Sequence, residues 1–197
     1  MSISTVLLDL DGVIRHFDRG HAASVEEQYG LEPGVLAAAG FEPALMQQLI
    51  TGRIKRSEWG DQVGRQVGSV DAGRAWLTDI GAVDRHMLAE VDRIRRAGTT
   101  VAILTNGADT IPAEMLTLGL VDHFDQIFNT AEIGFAKIDP RSFEYACTAL
   151  GVEPAAVFFT DDSKSNLPAA IGLGMTARHF EGIELFRQHL DELGIEH

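Results

Sequence analysis

Three short apolar runs in this chain each end in residues able to do chemistry. Thr5-Val6-Leu7-Leu8 leads into Asp9-Leu10-Asp11-Gly12, Val101-Ala102-Ile103-Leu104 into Thr105-Asn106-Gly107, and Ala156-Val157-Phe158-Phe159 into Thr160-Asp161-Asp162-Ser163. Asp9 and Asp11 are two apart, so they project to the same side of a strand end, and Gly12 lets the backbone turn sharply. Such a pair can divide labour: one carboxylate attacks phosphorus while its neighbour handles the leaving-group proton. Asp161 and Asp162 are adjacent acids closing a buried run, which is costly unless they meet water or a cation. A helix starting near Ser163 would use one acid as its N-cap, but a cap needs one and the chain supplies two. Four crowded carboxylates call for a hard cation that takes oxygen ligands. The expectation is a magnesium site beside a nucleophilic aspartate. Thr105, Asn106 and the amides that follow can hold phosphoryl oxygens, although Thr-Asn-Gly is also an ordinary turn signal. Lys137, in the loop Gly134-Phe135-Ala136-Lys137-Ile138-Asp139-Pro140, gains meaning only beside such a site, where four acids and a phosphate require a cation.

These residues need a sheet to bring them together. Apolar runs of this length and β-branched or aromatic content read as buried strands. In an open α/β sheet, ligands bind beyond the carboxyl ends of the strands. The pattern predicts strands at 3–8, 100–104, 126–128, 156–160 and 175–180, and helices at 84–97, 109–118, 140–150, 165–173 and 183–193. Asp84 can cap the first of these helices, Arg93, Arg95 and Arg96 suit its negative end, and Gly98 follows it. Asp139 and Pro140 are an N-cap and a first helical residue. Strands alternating with helices imply a parallel sheet covered on both faces. From Arg15 to Ala97 the pattern is helical or loop throughout, with candidate helices at 19–29, 43–51, 57–67, 72–80 and 33–39. The gap between the first two strands far exceeds one crossover helix, so a helical insertion of roughly 60–70 residues is expected there.

The chain has 197 residues, 45% of them hydrophobic, and a net charge of −13. That size suits one core domain carrying an insertion. The acidic balance argues against non-specific binding to nucleic acid or membrane surfaces, which needs basic patches. The single cysteine, Cys147, shares a helical face with Phe143 and Leu150 and reads as a core residue. With no leader segment and no apolar run approaching ~18 residues, the expected location is the cytoplasm.

Together the motifs resemble the haloacid dehalogenase-like (HAD) hydrolase superfamily. Its four motifs are matched in order by Leu8-Asp9-Leu10-Asp11-Gly12-Val13, Leu104-Thr105-Asn106-Gly107, Lys137, and Phe159-Thr160-Asp161-Asp162-Ser163-x-x-Asn166. Ile138 departs from the pattern, which commonly has Pro after the lysine. The resemblance implies a Rossmann-like, doubly wound α/β core formed by 1–14 and 95–197. A small helical cap would occupy 15–94 (approximate limits 17–80), with a return helix at 84–97. It implies that Asp9 becomes an aspartyl phosphate and that Asp11 acts as general acid and then base. Thr105 and the Asn106 amide would hold the phosphoryl oxygens, and Lys137 would offset charge. Magnesium would be bound by Asp9, the Asp11 carbonyl and Asp162, with Asp161 acting behind Asp162 or as the alternative ligand.

Within this superfamily, an acid at Asp11 points to a phosphate ester. The dehalogenase and phosphonate-cleaving branches lack it, because no leaving alcohol needs a proton. A phosphomutase shares the acid, but hydrolysis of small phosphorylated metabolites is the reading adopted. A signalling receiver domain carries its acid pair on the first strand, not last, and has no long insertion after it. A catalytically silent binding protein sits badly with four intact motifs. Around the insertion, His16 and Phe17 could line an entrance or a solvated loop. Arg53, Lys55 and Arg56 read as a solvated helix end before a phosphate-attracting patch. Trp59 and Trp76 read as insertion-core residues before stacking platforms. The substrate and the oligomeric state are not legible.

Overall fold

The computed structural model describes residues 2–197. Its centre is β1 (Thr5–Leu8), every residue of which is buried. This is the pattern of a strand covered on both faces. β1 pairs in parallel with β4 (Thr100–Thr105) and β6 (Val157–Asp161). β5 (Gln126–Asn129) and β7 (Thr176–His179) extend the sheet outward in the order β5-β4-β1-β6-β7.

Alternate side chains feed two cores, as a period of two requires. Val6, Leu8, Val101, Ile103 and Phe158 pack against α6 (Arg85–Arg96), α7 (Ile111–Thr117) and α11 (Ile183–Leu193). Leu7, Ala102, Leu104 and Phe159 pack on the opposite face against α9 (Pro140–Leu150) and α10 (Leu167–Gly172). Cys147 lies in this second core, where burial pushes its thiol up to about 11. Asp84 caps α6 by accepting the His86 and Met87 amides, and Asp139 caps α9 at Arg141. Both caps are where the sequence puts them.

Between β1 and α6 lie five helices: α1 (His21–Gln28), α2 (Val35–Gly40), α3 (Pro43–Ile50), α4 (Arg56–Val67) and α5 (Val70–Trp76). Their own core gathers Val25, Leu36, Leu45, Leu49, Trp59, Val63 and Ala72. α4 and α5 cross closely enough that a Cβ on Gly73 would strike the backbone of Gly60 and Gly64.

The expectation of helix or loop throughout 15–97 is corrected at the ends of this segment. β2 (Arg15–His16) and β3 (Ala82–Val83) form an antiparallel pair at its entry and exit. Two-residue strands carry no periodicity to read. The inward member, Arg15, is also polar. A further short helix, α8 (Thr130–Ile133), escapes the sequence reading for the same reason of length.

Candidate active site

Register brings the three strand ends level. Leu8 stands opposite both Ile103 and Thr160, so Asp9 meets Asp161 one residue past Thr160 and Thr105 two past Ile103. The Asp9 amide donates to the Thr160 carbonyl at 3.0 Å. Lys137 arrives from the loop before α9, and the Asn106 side-chain oxygen fastens that loop by accepting the Lys137 amide at 2.9 Å. The Lys137 ammonium, 1% exposed, lies 2.7 Å from Asp9 Oδ1 and 2.6 Å from Asp161 Oδ2.

The two acids of the last motif have different surroundings. Asp161 is fully buried, and both of its oxygens are taken. Oδ1 accepts the Ser163 amide and the Asn166 side-chain amide, and Oδ2 accepts Lys137 and Asn166. Asp161 thus also makes the local capping contact that one acid was expected to make. Asp162 is exposed, and among the described residues its carboxylate accepts no hydrogen bond. It lies against Gly12, whose φ is +84° and whose missing Cβ leaves the space that the Asp162 carboxylate fills. Ligand oxygens of Asp9, Asp161 and Asp162 fall within 4.8 Å of one another.

Burial lifts the Asp9 carboxyl from 3.8 to about 7; Lys137 opposes this, while Asp161 and Asp11 add to it. Burial also raises Asp162, with Asp161 reinforcing it. Burial alone would lower Lys137, but its contacts with Asp9 and Asp161 outweigh that and raise it. Three carboxylates with one ammonium keep an excess of negative charge, and every free donor atom is a carboxylate oxygen. That donor set fits a hard divalent cation. Asp9, with one oxygen held by Lys137 and the Leu10 amide, keeps its other oxygen clear of protein donors among the described residues.

A family model for haloacid dehalogenase-like hydrolases matches residues 3–174. The chain belongs to this family. A D-ribitol-5-phosphate phosphatase from Bacteroides thetaiotaomicron is 25% identical over 95% of this HAD-like chain and 97% of its own. A phosphatase from Mycobacterium tuberculosis is 28% identical over 90% and 87%. A HAD family enzyme from Bacteroides thetaiotaomicron, solved with magnesium and inorganic phosphate, superposes with a TM-score of 0.77 at 23% identity, covering 94% of this chain and all of that one. The L-2-haloacid dehalogenase of Xanthobacter autotrophicus superposes less closely, with a TM-score of 0.67 at 22% identity over 96% and 83% of the two chains. These likenesses establish the HAD fold around the acid cluster.

Asp11 points away from the cluster's interior. Its carboxylate accepts Arg15 Nε at 2.5 Å and Arg15 Nη2 at 3.0 Å. Arg15 is 2% exposed and also donates to Glu114 Oε2 of α7 at 2.6 Å. The Thr110 hydroxyl donates to Glu114 Oε1, and Arg56 Nη1 of α4 approaches that oxygen to 3.6 Å. Burial would raise Glu114, but Thr110 and Arg15 hold it below the usual range. The reading of Arg56 as a solvated helix end is corrected: it is half-buried and donates to the Asp79 carbonyl. Arg53 and Lys55 are exposed as expected.

Arg15 and Glu114 carried no motif. Glu114 did carry a signal, since it shares a helical face with Ile111 and Leu118, and a buried acid on an apolar face demands a partner. Phe17 stands 44% exposed with the Arg15 guanidinium 4.8 Å from its ring centre, at the mouth of a cavity between the helices and the sheet edge. His16 instead faces Asp84 at 3.5 Å.

Proposed function

We propose that this hydrolase is a magnesium-dependent phosphatase of small phosphate monoesters, working through an aspartyl phosphate on Asp9. The observation that carries the reading is the pair Asp9 and Asp11. One is buried and bridged to Lys137, and the other is held by Arg15 and lines the cavity where a leaving alcohol would lie. A haloacid substrate has no use for the second acid. The phosphatases among the relatives, and the magnesium and phosphate held by a structural neighbour, support the same reading.

In this reading the clear oxygen of Asp9 attacks phosphorus, and the bond from phosphorus to the alcohol oxygen breaks as Asp11 gives that oxygen a proton. Asp11 then takes a proton from water, whose oxygen attacks the phosphorus of the aspartyl phosphate. Phosphate leaves and Asp9 is restored. Lys137, Thr105 and the Asn106 amide hold the phosphoryl oxygens, and Lys137 offsets their charge. Asp9, the Asp11 carbonyl and Asp162 would hold magnesium, which supplies further charge neutralisation to the transferring group. Asp161, saturated by Lys137, Asn166 and Ser163, positions the lysine and does not bind the ion directly. Helices α1–α5 act as a cap over the sheet edge that excludes water.

Phosphate release from p-nitrophenyl phosphate and a panel of metabolite phosphates tests this. Turnover is expected with magnesium, and none with EDTA or in Asp9→Asn. Full turnover by Asp9→Asn would overturn the nucleophile assignment.

A further inference from the structure

A cavity of about 340 Å³ opens beside Asp11, Asn106 and Gly107 and runs between the sheet edge and the helices. Its volume falls at the lower end of the range of small-molecule sites. The wall on the helical side is apolar: Phe17, Phe41, Met46, Leu49, Trp59 and Trp76. Phe41 meets Trp76 edge-on at 5.9 Å, and Trp76 lies 5.1 Å from Trp59, so three rings form one continuous surface. Trp59 gives its indole N–H to the Gly40 carbonyl at 3.1 Å and presents only its apolar body. At the mouth, Phe17 and Phe41 are exposed by 44% and 61%. Large apolar side chains left in water around one opening mark a site that binds something apolar.

The polar side chains of the cavity are already engaged with the protein. Asp11 and Glu114 share Arg15, Thr110 donates to Glu114, and Arg56 is held by Glu114 and the Asp79 carbonyl. The Asp79 carboxylate accepts the Asp18 and Gly81 amides. Asp18 accepts the Gly20 amide, His21 lies against the Ala75 and Trp76 carbonyls, and Asn106 accepts the Lys137 amide, which leaves Arg19, exposed at the rim, and the Asn106 side-chain N–H without a protein partner among the described lining residues. A polyol in this space would give up its water and find few partners, and each hydroxyl left unpaired weakens binding.

We propose that the substrate's leaving alcohol carries an apolar body of aryl or medium alkyl size, and that polyol phosphates are poor substrates. This rests on the phosphatase reading and adds the chemistry of the group beyond the phosphate. The phosphate would sit at Asp9 and Lys137, the ester oxygen beside Asp11, and the apolar body against Trp76, Trp59 and Phe41.

Trp59 and Trp76 are the chain's two tryptophans, so intrinsic fluorescence reports on this cavity directly. The wild-type protein with magnesium is titrated with methylphosphonate, n-hexylphosphonate and phenylphosphonate, none of which has an ester to hydrolyse. In parallel, kcat/KM is measured for phenyl and n-hexyl phosphate against glycerol 3-phosphate and ribitol 5-phosphate. The hexyl and phenyl ligands are expected to bind on the order of tenfold or more tighter than methylphosphonate and to shift the emission. Phe41→Ser, at a position 61% exposed, should shrink that ratio by a similar factor. Equal affinities across the phosphonates, or polyol phosphates turned over as well as phenyl phosphate, would overturn the inference and leave the phosphatase reading intact. No turnover of any ester, with the phosphonate preference present, would overturn the phosphatase reading and leave the cavity's selectivity standing.

Discussion

Arg15 is the residue whose loss should be felt in both stability and rate. Replacing it with Met leaves Glu114 as a buried carboxylate whose remaining neighbours are the Thr110 hydroxyl and Arg56, 3.6 Å away. The Asp11 side chain is 38% exposed and returns to water at little cost. The penalty therefore falls on Glu114. Removing one partner of a buried ion pair costs about 3–5 kcal/mol, and Arg56 can repay part of it, so about 3 kcal/mol is expected. For a chain of this length that lowers the melting temperature by roughly 6–12 °C. Glu114→Gln keeps an acceptor for Arg15, which still has Asp11, and should cost about 1–2 kcal/mol. If the Arg15–Glu114 contact is what both changes remove, the double variant costs less than the sum, by about 1–3 kcal/mol. Urea unfolding of the four proteins, followed by circular dichroism, gives all three values. Arg15→Met should also lower kcat by on the order of a hundredfold as Asp11 loses its orientation, with little change in KM. A loss under about 0.5 kcal/mol, or strict additivity, would refute the claim that this contact is a buried, coupled ion pair.

Asp9→Asn should stabilise the metal-free protein while ending turnover. Burial raises Asp9 from 3.8 to about 7, so the native state binds this proton more tightly than the unfolded chain, and the group's contribution to stability is lost as pH rises from about 4 to about 7. In EDTA the Asn variant should therefore melt higher than wild type at pH 8, by at most about 4 kcal/mol, and converge with it near pH 4; a lower melting point at pH 8 would contradict this. Gly12→Ala places a methyl group where the Asp162 carboxylate lies, at φ +84°, and should raise the magnesium concentration needed for half-maximal rate at least tenfold; an unchanged magnesium titration would mean that Asp162 is not a ligand. Burial would raise the Glu90 carboxyl, but hydrogen bonds from Arg187 and His197 outweigh it and hold it below 4.5. The stability that Glu90 contributes should be present above pH 4.5 and lost as pH falls below it. The wild-type advantage over Glu90→Gln in thermal melts should shrink below pH 4.5, and a constant difference down to pH 3 would count against the pairing.

The legible parts of this molecule are those whose cause is local. Val6, Leu8, Val101, Ile103 and Phe158 alternate with Leu7, Ala102, Leu104 and Phe159 because each strand is covered on both faces, and the two-residue period is written in consecutive positions. Asp84 and Asp139 cap helices using amides two or three residues away. Asp9, Thr105 and Asp161 converge because chemistry in a parallel sheet collects at the carboxyl ends of its strands. The insertion helices are legible within a few residues at most ends, since Gly and Pro punctuate them.

What was not legible depends on contacts between distant positions. Arg15 and Glu114 are 99 residues apart, and each looks ordinary alone: a polar residue after an apolar pair, and a lone acid in a short helix. Glu114 did conflict with its neighbours Ile111 and Met115, both core residues, but that conflict names a need and no partner. The partners come from β2 on one side and from Arg56 at the start of α4 on the other. Ala108, from the loop after β4, packs in the core of the helices and not in that of the sheet. Ala108 and this charged network thus help seat the helices on the sheet edge, beside the Arg56 amide that donates to Asp109 and the close approach of Gly52 to the Ala131 carbonyl. Because that network ends on Asp11, the same buried carboxylate that receives α4 also fixes the arginine that aims the acid. Glu114 thus couples the seat of α4 to the direction of Asp11.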